Sequence, residues 1–174
     1  MKKIVLIGKM RSGKDTLAEY AIDKYGYKRF AFGDGIRSVA QILFPEEMSN
    51  GKPRALLQGI GQLMRSLDEN VWVKNCFHRI SIEKDVIPII TDLRQPNEYI
   101  KCKEEGYISI KVECDEDIRL QRILSENDSF NLNDLKHETE MHIDTYDCDY
   151  VIKNDKGLEH LYSQFDAVMT NINK

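Results

Sequence analysis

The stretch Ile4-Val-Leu-Ile-Gly-Lys-Met-Arg-Ser-Gly-Lys-Asp-Thr16 constrains this chain more than any other, because it runs an apolar segment into Gly-x-x-x-x-Gly-Lys and then into a helical pattern. A continuous apolar run reads as a strand covered on both faces. The two glycines let backbone N–H groups turn inward around an anion, the following helix adds its partial positive charge, and Lys14 reaches toward outer phosphates. Gly8, Arg11, Ser12, Gly13, Lys14, Asp15 and Thr16 therefore form the expected phosphate-binding set. Residues 1–8 also imitate a signal peptide, but the apolar run stops at Gly8 and Lys9, Arg11 and Lys14 follow, so the segment reads as a strand.

Short apolar runs alternate with longer amphipathic ones, the order of a parallel α/β sheet. The expected fold is a three-layer α/β domain, with a central parallel sheet of about five strands flanked by helices. Residues 86–90 repeat the continuous apolar pattern, while 107–114 alternate Ile108, Ile110 and Val112 with Ser109, Lys111 and Glu113, as a half-exposed strand does. Residues 29–32 and 149–152 are further strand candidates. Helices are expected over 16–24 and over 36–44, the latter stopped by Pro45. Leu56, Ile60, Leu63 and Leu67, and later Leu158, Leu161, Phe165, Val168 and Ile172, form helical stripes that read as packing faces.

At 174 residues, 41% hydrophobic and 31% charged, the chain fits one domain over 1–174, with a mobile lid expected within the polar region of 116–144. No run approaches the roughly 20 apolar residues of a membrane span, so a soluble protein without a membrane partner is expected. A net charge of −4, with no basic stripe among aromatics, argues against a nucleic-acid polymer as partner. Cys76, Cys102, Cys114 and Cys148 form no C-x-x-C pair, and a reducing cytoplasm is the simplest setting.

Asp15 stands where such loops usually carry the hydroxyl that holds magnesium. Thr16 does not replace it, since one residue rotates a helical side chain by about 100°. An acid in a first helical turn gains about 0.3–1 kcal/mol from the helix dipole. A carboxylate beside a triphosphate is repelled by more than that unless a metal or water intervenes, so a magnesium ligand is the competing reading of Asp15.

The loop Gly-Lys-Met-Arg-Ser-Gly-Lys-Asp-Thr closely resembles that of the bacteriophage deoxynucleoside monophosphate kinases, which carry Gly-Lys-Asp in place of Gly-Lys-Ser/Thr. The resemblance implies ATP and magnesium as cofactors and phosphoryl transfer to a small nucleotide. Animal-type phosphomevalonate kinases share the variant loop, so the loop alone leaves the acceptor open. Asp92-Leu-Arg94 follows the strand expected at 86–90, at the carboxyl end where open α/β sheets bind ligands. Asp92 suits magnesium or its water, and Arg94 suits a phosphate held by paired hydrogen bonds; the pair resembles the strand-end Asp-x-Arg of the phage-type kinases. Glu98 reads either as an orienter of Arg94 or as a surface ion pair.

The same resemblance places an acceptor-binding cation at Arg37, with Asp34 as a polar contact or, equally, a helix cap. It also places Arg65 and Trp72 in the segment lining the acceptor pocket. Arg65 reads as a phosphate contact or an ordinary surface cation, and Trp72 as a base contact or a core residue. Arg119 and Arg122 project together from a helix that precedes the expected lid. They read as a solvated basic face or, as in P-loop kinases, as cations closing on the transferred phosphoryl group.

His137-Glu-Thr-Glu-Met-His142 imitates a zinc-protease motif, but histidines five apart diverge by about 140° on a helix. The phage-type kinases have a similar His-Glu-x-Glu stretch. Residues 149–158 are similar to that family's last strand and its turn into the final helix. Dephospho-coenzyme A kinase and a nucleotide-binding switch with little turnover are the remaining alternatives. A switch would not need Arg37, Arg65, Arg94, Arg119 and Arg122 to converge on a second phosphate. Small-molecule nucleotides are the expected partners, and a homodimer stays open.

Overall fold

The apolar run folds as strand β1 (Ile4–Ile7), and all four side chains are buried, which a strand achieves only inside a sheet covered on both faces. The computed structural model describes residues 1–51, 53–125 and 142–173. They form two compact units, Met1–Arg29 with Val86–Lys174, and Phe30–Asp85. In chain order the elements are β1, α1 (Lys14–Tyr25), β2 (Tyr27–Phe30), α2 (Gly33–Leu43), α3 (Pro45–Ser49), α4 (Arg54–Leu67) and α5 (Val71–Ile82). Then follow β3 (Ile87–Leu93), α6 (Pro96–Glu104), β4 (Ile108–Glu113), α7 (Glu116–Ser125), a 3₁₀ turn (Ile143–Thr145), β5 (Tyr150–Lys153) and α8 (Leu158–Ile172).

The strands form one five-stranded sheet in the order β2-β3-β1-β4-β5, and β1 pairs in parallel with β3 and β4, as β4 does with β5. Leu6, Ile89 and Ile110 share a core with Leu17 of α1 and Phe165 of α8, while Val5, Ile7 and Ile90 are equally buried. From β1 the chain moves to an edge strand beyond β3, whereas β4 lies on the other side. That reversal opens a crevice at the carboxyl ends of the strands, where α/β sheets bind ligands.

Several expectations shift. β3 continues to Leu93 instead of ending at residue 90, so Asp92 belongs to the strand. β2 starts two residues earlier than expected, at Tyr27. The expected alternation of β4 holds at Lys111 and Glu113, which are partly exposed, but not at Ser109, which is fully buried, donating its hydroxyl at 2.6 Å and its backbone N–H at 2.8 Å to the Asp149 carboxylate. A buried polar side chain with its partner supplied reads, in sequence, like a solvent-facing one. In α8, Leu161, Phe165 and Val168 are buried but Leu158 is exposed at the first turn.

The second unit is helical from Gly33 onward, with α2 packed on α4 and α5. α2 stops just before Pro45, as expected, and Pro45 then opens the short α3, because a first helical turn does not use the N–H that proline lacks. The α4 stripe is not a uniform packing face: Leu63 and Leu67 are exposed, and Gly61 is the buried position of that helix. Gly61 is small for a reason, since a Cβ there would meet Ile36 Cδ1 at 3.1 Å and the Arg65 guanidinium at 3.4 Å.

Candidate active site

The loop after β1 is shaped by two glycines that cannot be replaced without displacement. Gly13 has φ +101°, and a Cβ on it would come 2.2 Å from Asn154 Nδ2. A Cβ on Gly8 would come 2.5 Å from the Val112 carbonyl and 2.7 Å from Ser12 Oγ. Arg11 is left-handed at φ 62°, a conformation that costs a residue with a Cβ about 1–2 kcal/mol. Lys14 Nζ donates to the Lys9 carbonyl at 2.9 Å, so the loop curls under its own lysine. Gly13 caps α1, whose first N–H groups lack intrahelical partners by the nature of a helix start. Ser12 Oγ is buried with no hydrogen-bond partner among the described residues. Asp15 is exposed and Thr16 half-buried in the first turn of α1.

Arg119 and Arg122 do reach the loop together, but through its carbonyls. Arg119, only 6% exposed, donates Nε–H to the Met10 carbonyl at 3.0 Å. Arg122 donates to the Arg11 carbonyl at 3.3 Å and the Asn154 carbonyl at 3.2 Å. The solvated-face reading is corrected for Arg119, since a buried guanidinium needs such partners. A recess of about 320 Å³ adjoins the loop, lined by Gly8, Lys9, Ser12, Lys111, Arg119 and Asp144 among others. Burial pushes the Asp144 carboxyl up, but hydrogen bonding to Lys9 and the charges of Lys9 and Lys111 leave it below the ordinary carboxylate range. Residues 126–141, with His137 and most of the expected lid, lie outside the described residues.

At the end of β3, Asp92 and Arg94 are both half-buried. For Glu98 the surface reading is corrected, since the residue is buried. Its buried carboxylate accepts the backbone N–H groups of Arg94 at 2.8 Å and Gln95 at 2.9 Å, completing a capping box at the start of α6. It thus fixes the main chain of Arg94 and is no surface ion pair. The pattern Gln95-Pro-Asn-Glu98 carried this signal in the sequence. Tyr146 donates its hydroxyl to the Arg94 carbonyl at 2.9 Å and stacks on Tyr99, with centroids 4.6 Å apart.

In the second unit, Asp34 does not cap α2 from the N-cap position, which belongs to Phe32. Its carboxylate accepts the Ala31 N–H at 3.1 Å, Arg37 at 2.7 Å and Arg79 at 3.3 Å. Arg79, absent from the expected set, also donates to the Ala31 carbonyl. Its only sequence signal was a cation on a helix. Arg65 is half-buried. The base-contact reading of Trp72 is corrected: the indole is buried in this unit and donates Nε1–H to the Gly61 carbonyl at 3.1 Å, so its polar end is satisfied by the fold.

A parallel sheet in this order, with a glycine loop after β1 and a lysine opening α1, defines a P-loop protein of the three-layer α/β kinase fold. A gluconokinase from Sinorhizobium meliloti 1021 superposes with a TM-score of 0.63 at 16% identity, over 98% of this chain and 93% of that one. No protein-family model matches the chain. A protein of Acanthamoeba polyphaga mimivirus, named provisionally as a deoxynucleotide monophosphate kinase, is 27% identical over 98% of this chain and 97% of its own length. The uncharacterized protein ORF77 of Ictalurid herpesvirus 1 (strain Auburn) is 28% identical over 87% of this chain. The chain spans 63% of the length of that relative.

Proposed function

We propose that the chain transfers the γ-phosphoryl group of ATP to a (deoxy)nucleoside monophosphate, giving the diphosphate and ADP. The observation that carries this reading is the loop itself. Gly8 and Gly13 have no room for a Cβ, Lys14 is folded over the loop, and the buried Ser12 hydroxyl has no partner among the described residues. Such a loop fits a chain of phosphates bound by backbone N–H groups and one lysine. The mimivirus relative, matched over nearly the full length of both chains, favours a nucleotide as acceptor.

Phosphoryl transfer needs positioning and charge stabilisation more than a side-chain nucleophile. Lys14 orients the outer phosphates of the donor, and Arg94, held through its backbone by Glu98 and Tyr146, binds an acceptor phosphate. Arg119 and Arg122 support the loop and stabilise charge beside it. Arg37, Arg65 and Asp34 are the acceptor contacts proposed for the second unit. Among the described residues no three of His, Cys, Asp and Glu gather as a metal cage. That suits magnesium, which is held largely by phosphates and water. Asp15 and Asp92 are the carboxylates that would hold it, and the ion would neutralise phosphate charge. A reducing cytoplasm suits the four free thiols.

The test incubates the protein with ATP, magnesium and each ribo- and deoxyribonucleoside monophosphate in turn, with phosphomevalonate and dephospho-coenzyme A as competing acceptors, and follows ADP. Acceptor-dependent ADP with at least one monophosphate, absent in Lys14→Ala, is the expected result. ADP formed only with a competing acceptor, or with none, refutes the proposal.

A further inference from the structure

We infer that Asn154 is a positioning residue that holds Ser12 and Gly13 in the phosphate-binding conformation; this rests on the nucleotide reading of the loop. Asn154 follows β5 and is buried. Its backbone N–H donates to the Glu113 carbonyl at 2.8 Å, and its own carbonyl accepts Arg122 Nη2 at 3.2 Å and Cys114 Sγ at 3.3 Å. With its main chain held by β4 and α7, the side-chain amide points one donor at the Ser12 carbonyl, 2.9 Å away. Its Oδ1 is buried without a partner among the described residues, so the Ser12 bond is the one the amide makes there.

In a trans peptide the C=O and the following N–H point in opposite directions. Fixing the Ser12 carbonyl on Asn154 therefore fixes the heading of the Gly13 N–H, one of the donors a phosphate-binding loop turns toward its ligand. The amide also fills the space that a side chain at residue 13 would need, with Nδ2 only 2.2 Å from where that Cβ would lie. Gly13 and Asn154 are thus matched, and Arg122 braces both ends by bonding the Arg11 and Asn154 carbonyls.

The experiment measures ATP–magnesium binding by titration calorimetry for wild type, Asn154→Asp and Asn154→Ala at about pH 8 and about pH 5.5. Aspartate keeps the shape but can donate to the Ser12 carbonyl only when protonated, and burial raises its pKa. The charged and titratable groups around it are Arg122 from α7 and Cys114 after β4, which both bond the Asn154 carbonyl, with Asp155 next in the chain and Asp115, whose N–H bonds the Asp155 carboxylate. The ratio to wild type at each pH cancels their own titration. The expected outcome is about ten-fold weaker binding by Asn154→Asp near pH 8, recovering to within about three-fold near pH 5.5, and weaker binding by Asn154→Ala at both. Wild-type binding by Asn154→Asp near pH 8, or a deficit unchanged by pH, overturns the inference. If the aspartate variant does not fold, Asn154→Ala decides, and wild-type affinity overturns it. A wild-type protein that binds no ATP refutes the nucleotide reading instead.

Discussion

Lys9 Nζ lies 2.6 Å from the Asp144 carboxylate, so a residue inside the phosphate-binding loop is ion-paired to the 3₁₀ turn that precedes β5. Lys111 approaches the same carboxylate at 3.6 Å. The Asp144 side chain is 58% exposed, which limits the worth of the pair to about 0–1 kcal/mol. Asp144→Asn should lower stability by no more than that, and the loss should vanish at about 1 M NaCl. Because the Asp144 pKa is lowered on folding, its contribution is fully present above the ordinary carboxylate range and lost as pH falls through the depressed value. Urea unfolding of both proteins at two salt concentrations checks this; a loss that survives high salt would show that the pair is not what Asp144 contributes.

Gly13→Ala and Gly26→Ala separate backbone strain from site geometry. Both glycines have positive φ, +101° and +72°, but only Gly13 has a neighbour where the Cβ would go. Gly26→Ala, at the end of α1, should cost about 1–2 kcal/mol and leave ATP affinity unchanged. Gly13→Ala should cost about 2–4 kcal/mol, because left-handed strain and overpacking against Asn154 act together, and should lose most ATP affinity. Equal effects of the two variants on calorimetric ATP binding would remove the special role of Gly13.

The loop, the continuous apolar strands and the α/β order were legible because each is a local pattern. Gly13, Lys14 and the run from Ile4 to Ile7 announce themselves within a dozen residues. The contacts that define the site in space were not, since Asn154 meets Ser12 across 142 positions and Arg119 meets Met10 across 109. No periodicity reports a bond of that span. Ser109 misled in the opposite sense, its polarity suggesting solvent when it marked a buried link to Asp149. Trp72 was ambiguous because an indole serves equally as core filler and ligand platform; the Gly61 carbonyl, supplied by another helix, decides it.

Alkaline solution should unfold the protein through its tyrosines. Burial first, then hydrogen bonding to Asp166, pushes the Tyr25 pKa up to about 12. Burial first, then the charge of Tyr25, does the same to Tyr27, also about 12, and burial with Glu98 and Tyr99 takes Tyr146 to about 12. A raised folded pKa means that the contribution is whole below the unfolded value of about 10 and is lost as pH rises toward 12. Tyr27→Phe, which gives up a 2.8 Å bond to the Lys2 carbonyl, should be less stable near pH 8 by about 1 kcal/mol. It should also lose less stability between about pH 10 and 12 than wild type does. Unfolding midpoints across that range, with tyrosinate absorbance followed in parallel, test the slope; identical slopes would exclude Tyr27 from the linkage.

Arg79 carries the most consequence for the second unit. It binds the Asp34 carboxylate at 3.3 Å, the Asn75 side chain at 3.2 Å and the Ala31 carbonyl, so it ties the entry into α2 to α5. Arg79→Met keeps the aliphatic bulk while removing the guanidinium bonds to the Ala31 carbonyl, which keeps the Asp34 N–H, and to the Asp34 carboxylate, which keeps Arg37 and the Ala31 N–H, a loss of about 1–3 kcal/mol. Trp72, the single tryptophan, is buried in the same unit and reports its unfolding directly. In Arg79→Met the fluorescence midpoint in urea should fall ahead of the far-ultraviolet dichroism midpoint, because the partners Ala31, Asp34 and Asn75 all lie within the second unit. If both midpoints fall together, the two units unfold as one cooperative body and Arg79 supports the whole chain.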